Sequence, residues 1–258
     1  ASMTAERRNR PKGEIETMKP IYEVDYPSLV VEYKKKFVYE LSDLAETSFA
    51  GQPFEVQLLA QTLIFTRWWN SYQHMAPEEP APEILGIAID ILWDFLEGNC
   101  GIEEFSRFQK SFSASALEIM TGDDSELNED PESEKFYERH FDRWESHSYD
   151  VFLSNLAGLM EGAATKDVHS LYWQSVEEVI YGDIDTMIDF FESVYSNPTG
   201  GYRPSELDRR DGEVYSTPTF CRVIALLQQD MRAALEGTPL PELRARYQDE
   251  YLFSPEES

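Results

Sequence analysis

The sequence predicts an all-α fold: a helical bundle built from two similar four-helix units. Three observations carry this. Apolar residues recur at helical spacing over most of the chain, and no convincing alternating strand appears. Glycine and proline interrupt the periodic runs at intervals suited to helices. The stretch 83–97, EILGIAIDILWDFLE, has an echo at 178–192, EVIYGDIDTMIDFFE. Aligned without a gap, Glu83, Ile89, Asp90, Asp94, Phe95 and Glu97 fall on Glu178, Ile184, Asp185, Asp189, Phe190 and Glu192. At about 100° per residue, the four acids that the two stretches share lie within about 60° of one another on a helix. Each stretch therefore reads as a buried helix with one narrow acidic stripe.

The elements follow in order. Residues 1–26 are polar and locally basic (Arg7, Arg8, Arg10, Lys12) and read as a mobile tail, with Ala1-Ser2 ahead of Met3 as a cloning remnant. Leu29, Val30, Tyr33, Phe37, Val38, Leu41 and Leu44 place a first helix over 27–48, stopped at Gly51-Gln52-Pro53. Val56, Leu59, Leu63, Trp68 and Trp69 place a second over 54–74. The adjacent tryptophans cannot face one way, so one is expected outside or between helices. The proline-rich 75–82 cannot continue a helix. The third helix is 83–97, stopped by Gly98 and Gly101, and the fourth is 102–120, ending at Gly122.

Residues 123–134 hold seven acids and no base, so 123–132 reads as an acidic connector after a first unit at 27–122. The second unit, 133–258, begins with helices at 133–146 and 148–162, which the sequence also allows to be continuous. A helix at 168–195 contains the echo. A 22-residue loop, 196–217, carries Tyr202, Arg203, Arg209, Arg210 and Tyr215. Helices at 219–235, ending at Gly237, and from Pro241 to 251 close the chain. The halves match beyond the echo. Phe54-Glu55-Val56 and Leu58 correspond to Tyr149-Asp150-Val151 and Leu153, and Phe105, Arg107 and Gly122 to Phe220, Arg222 and Gly237. Ordered matches of this kind point to a duplicated unit, with 20 residues inserted at the 196–217 loop.

Composition bounds the function. Of 258 residues, 41% are hydrophobic and 13% aromatic, which supports a packed globule. The net charge is −27, from 22 basic and 49 acidic residues. Nucleic acids and anionic membranes repel such a surface, whereas a basic protein or a metal ion is attracted. The longest apolar run, 84–89, falls well short of the roughly 20 residues a membrane helix needs. No secretory segment follows the N-terminus. Two cysteines, Cys100 and Cys221, fit free thiols in a reducing cytoplasm.

Two function classes follow. Asp90/Asp94 and Asp185/Asp189 form DxxxD pairs, whose i, i+4 spacing suits sharing Mg²⁺ with a diphosphate. In this they resemble the aspartate-rich helices of squalene and phytoene synthase-type enzymes, without a clear Arg and Lys cluster for the diphosphate. His74, His140, His147 and His169 fall in no zinc motif, although His140 and His147 share a helix face. No nucleophile elbow, P-loop or dinucleotide fingerprint appears. Neither a catalytic residue, a resident metal nor a cofactor is therefore expected. The second class is a binder. Its contacts are Asp90, Asp94, Glu97, Asp185, Asp189 and Glu192, with Tyr202, Arg203, Arg209 and Arg210, since Tyr and Arg are enriched at binding hot spots.

Residues 60–69, the proline-rich break with Tyr72 and Pro77, and the run AIDILWDFLEG at 88–98 carry one further signal. The region 58–97 resembles a family of small α-helical bacterial proteins that includes immunity proteins encoded beside polymorphic toxins. That resemblance implies a cytoplasmic protein that binds and neutralises a toxin domain, and many such toxins are basic.

Overall fold

The computed structural model describes residues 19–25, 39–75, 82–141, 144, 149–166, 173 and 218–252. The fold is all-α. Nine α-helices and one 3-10 turn (Ile21–Glu23) occur among the described residues, and no strand does. The helices are α1 (Tyr39–Phe49), α2 (Phe54–Met75), α3 (Glu83–Glu97), α4 (Ile102–Thr121), α5 (Ser125–Glu129), α6 (Pro131–His140), α7 (Asp150–Thr165), α8 (Pro218–Leu235) and α9 (Leu240–Tyr247).

α2 is the axis of the bundle. It packs against α3, α7, α8 and α9, and residues 57–71 are buried without a break. Its buried side chains are not all apolar: Gln57, Gln61, Thr62, Thr66, Arg67, Asn70 and Ser71 lie inside with the rest. Both tryptophans are inside. Trp68 packs with Phe65 and Tyr72 on α2 and Phe152 on α7. Trp69 points the other way, to α3, where an ideal Cβ on Gly86 would lie 3.0 Å from its indole. A glycine at that position is what lets the two helices close on the ring.

α4 packs along α7 and α6, and its Phe108 and Phe112 meet Phe136 and Phe141. The acidic connector is partly helical. α5 forms because Leu127 is buried, and Asp130 then caps α6, accepting a hydrogen bond from the Glu132 amide at 3.1 Å with Pro131 at the first helical position. Lys110 Nζ holds the same aspartate to α4 at 2.9 Å. α6 stops at His140, short of the expected 146, and α7 begins at Asp150. Gly98, Gly122 and Gly237 end α3, α4 and α8 at φ values of 77°, 70° and 70°. These are left-handed conformations that favour glycine.

α2 lies along α8, as α4 lies along α7. The echo at 178–192 and the helix expected at 168–195 lie outside the described residues, apart from Trp173, as does the stretch before Tyr39 in the first expected helix.

Candidate functional site

The acidic stripe of α3 runs from open solvent into the protein. Ile84, Leu85, Ala88, Ile89, Leu92 and Trp93 bury one face of the helix. The acids take the other, with side-chain exposures of 70% for Asp90, 42% for Asp94 and 10% for Glu97. α9 crosses this edge, and Arg244 reaches all three. Its Nη2 donates to Asp90 Oδ1 at 2.9 Å, and its Nη1 donates to Asp94 Oδ1 at 2.6 Å and Glu97 Oε2 at 3.2 Å. One guanidinium thus faces three carboxylates, an excess of two negative charges. Burial works against the charge on Arg244, but Asp94 and Asp90 outweigh it and hold the group above its ordinary range. The second oxygen of Glu97, Oε1, is buried and has no hydrogen-bond partner.

Beside this edge lies a cleft of about 420 Å³ between α2, α3 and α9. Trp69 and Trp93 wall it, Thr66 and Asn70 contribute from α2, and Glu83, Asp90 and Gln248 stand around it. Trp93 Nε1 donates to Thr66 Oγ1 at 3.0 Å. Asn70 Nδ2 donates to the carbonyls of Tyr247 and Glu250, both at 2.8 Å, which ties α9 and the chain after it to α2.

Behind the cleft is a buried ionic network. Arg67 on α2 and Asp230 on α8 are both fully buried. Arg67 donates to Asp230 through Nε (3.1 and 3.2 Å) and Nη2 (2.8 Å), and through Nη1 to Glu250 at 2.6 Å. The Tyr247 hydroxyl donates to the same aspartate, and the guanidinium lies 5.1 Å from the Tyr247 ring centroid. Burial, then the Asp230 charge, pushes the Tyr247 phenol far above its ordinary range, so it stays a donor. Pairing with Asp230 overcomes burial for Arg67, which stays charged. The arrangement is a charge-assisted clasp joining three helices.

Of the residues expected from sequence, Asp90, Asp94 and Glu97 come together on one edge, with Arg244 as a partner that sequence reasoning missed. Asp185, Asp189, Glu192, Tyr202, Arg203, Arg209 and Arg210 lie outside the described residues, as do His147 and His169. His140 ends α6 with its ring 4.8 Å from that of Phe136. Among the described residues no group of three His, Cys, Asp or Glu side chains is placed to hold a metal ion, and no helix is long and apolar enough to cross a membrane. Cys100 is a buried free thiol, pushed upward by burial and by Glu104 and Asp94. Arg67 carried no clear local signal: it is the lone cation of TLIFTRWWN, a run that also holds the polar Thr62, Thr66 and Asn70. Comparison with protein-family models, with curated protein sequences and with solved structures returned no match.

Proposed function

We propose that the chain is an acidic cytoplasmic binding protein that recognises a basic protein surface, acting as an inhibitor of the immunity type toward a toxin domain. The observation that carries the reading is the α3 edge. Asp90, Asp94 and Glu97 share the one guanidinium of Arg244 there, an excess of two negative charges, beside an open cleft whose rim adds Glu83. The net charge of −27 supplies the long-range field, which steers a cationic partner and raises its association rate. The segment 196–217, with Tyr202, Arg203, Arg209 and Arg210, is assigned the short-range contacts. The other class, Asp90 and Asp94 sharing Mg²⁺ with a diphosphate, requires Arg244 to release both carboxylates.

The experiment is association kinetics with the product of the neighbouring gene across a salt series. Asp90→Asn/Asp94→Asn is expected to slow association and flatten its salt dependence. Truncating the 196–217 side chains is expected to speed dissociation instead. A rate indifferent to salt, and unchanged in the double variant, refutes the reading.

A further inference from the structure

We propose that Arg244 is a built-in competitor of the basic partner: its guanidinium occupies the acidic edge of α3 in the free chain and is displaced when the partner's cations arrive. This rests on the binding role proposed above and adds its regulation. The carboxylates that such a partner would meet, Asp90, Asp94 and Glu97, already converge on one guanidinium, and it comes from a different helix. The edge thus accepts the planar, forked donor set of an arginine. The internal occupant does not complete it. Three carboxylates against one cation leave two negative charges in excess. Glu97, whose side chain is 10% exposed, also keeps a buried oxygen, Oε1, with no hydrogen-bond partner. The Asn99 amide donates at 3.0 Å, but to Oε2, which Arg244 already uses. A buried acceptor left this way costs free energy until a donor reaches it.

Arg244 can leave the edge without taking α9 with it, because the helix is anchored elsewhere. Leu243 and Tyr247 are fully buried, and the Tyr247 hydroxyl donates to Asp230. Asn70 holds the Tyr247 and Glu250 carbonyls at 2.8 Å, and the Leu252 amide donates to Ser71 Oγ at 2.7 Å. None of these contacts passes through Arg244. The Arg244 side chain is 23% exposed, and Asp90 and Asp94 are more open still. Ion pairs this close to solvent are worth little and weaken as salt rises. A swing of one side chain therefore frees the edge, and a surface carrying several cations outcompetes a single one.

The test uses the full chain and a fluorescein-labelled octa-arginine peptide, followed by anisotropy at low salt. Arg246 carries the same charge on the same helix but lies against Tyr247, 5.3 Å from its ring centroid, so Arg246→Gln is the control. Arg244→Gln is expected to bind the peptide about fivefold more tightly than Arg246→Gln, the fold-change that corresponds to releasing one exposed ion pair. The gain is expected to vanish in Arg244→Gln/Asp90→Asn/Asp94→Asn. In the unaltered chain the Arg244 Nε–H resonance, assigned by NMR through Arg244→Gln, is expected to move towards the position of a free arginine as the peptide saturates. Equal affinity of the two single variants, or an Arg244 resonance unmoved at saturation, overturns the proposal. If the product of the neighbouring gene associates equally with Arg244→Gln and Arg246→Gln, the competitor is wrong and the binding role stands. If the peptide displaces Arg244 and no basic protein associates, the internal contact stands as described and the binding role falls.

Discussion

Removing Asp230 is the sharpest probe of how the bundle is held. In Asp230→Ala the guanidinium of Arg67 stays buried, because α2 is enclosed on every side. It keeps one partner, Glu250, which is 36% exposed. It loses three hydrogen bonds, and the Tyr247 hydroxyl loses its acceptor. Breaking a buried pair from one side costs about 3–5 kcal/mol, because a charge is left uncompensated. With Glu250 still in place and a phenol newly unpaired, about 4 kcal/mol is expected. Domains are stable by roughly 5–15 kcal/mol, so the variant folds weakly. At roughly 2–4 °C per kcal/mol, Tm falls by about 10 °C. Arg67→Met/Asp230→Leu removes both charges together and fills the space with apolar atoms. It is expected to lose far less than Arg67→Met and Asp230→Leu made singly and added together, since such double replacements are often near neutral. Urea unfolding of the four proteins, followed by circular dichroism, closes the cycle. Single variants costing under about 1 kcal/mol, or a double variant equal to the sum, would refute the clasp.

Three further outcomes are expected. Gly98→Ala should lower stability by roughly 1–2 kcal/mol with no change in urea m value, because φ is 77° and no atom lies within 4 Å of the new methyl. His140 is held below its usual value of 6.5 by burial, with Arg139 adding to the effect. The unfolded chain therefore takes up this proton first as pH falls. Its contribution is intact above pH 6.5 and is lost as pH drops from 6.5 through the folded value, so His140→Gln should flatten the stability profile in that window, and an identical slope would count against it. Arg244→Gln should cost about 1 kcal/mol at low salt, because two of its three partners, Asp90 and Asp94, are well exposed, and calorimetry should show the gap narrowing as salt rises.

Helix positions were legible where glycine and proline bound an apolar period. The bounds of α3 match the expected 83–97, and α2, α4 and α8 fall within a residue of theirs, because a left-handed glycine or a proline ends a helix whatever surrounds it. The connector was less legible. Seven acids hide the one buried apolar residue, Leu127, that makes a short helix there. For the site, the stripe on α3 was visible in the spacing of its acids, but its neutralisation was not. Arg244 lies 150 residues beyond Asp94, and nothing local in LPELRARY distinguishes it from Arg246, which stacks on Tyr247 instead. Arg67 has Thr66 and Asn70 as near neighbours, and Asp230 has Gln228, Gln229 and Arg232, so each charge reads as a surface position. Only the pairing across 163 residues shows why both are inside.

That separation fixes the timing of assembly on the ribosome. Arg67 emerges long before Asp230, and at roughly 5–20 residues per second the interval is on the order of ten to thirty seconds. During it α2 carries an unpaired guanidinium on a surface otherwise suited to burial. Sealing that charge in an apolar environment is expensive, so the nascent helix resists collapsing on whichever apolar segment appears first. Only α8, bearing Asp230, removes the penalty, and α9 follows within a few residues to add Tyr247. A buried pair of opposite charges, of little net value to the finished bundle, thereby acts as a gate on the order in which its core is filled.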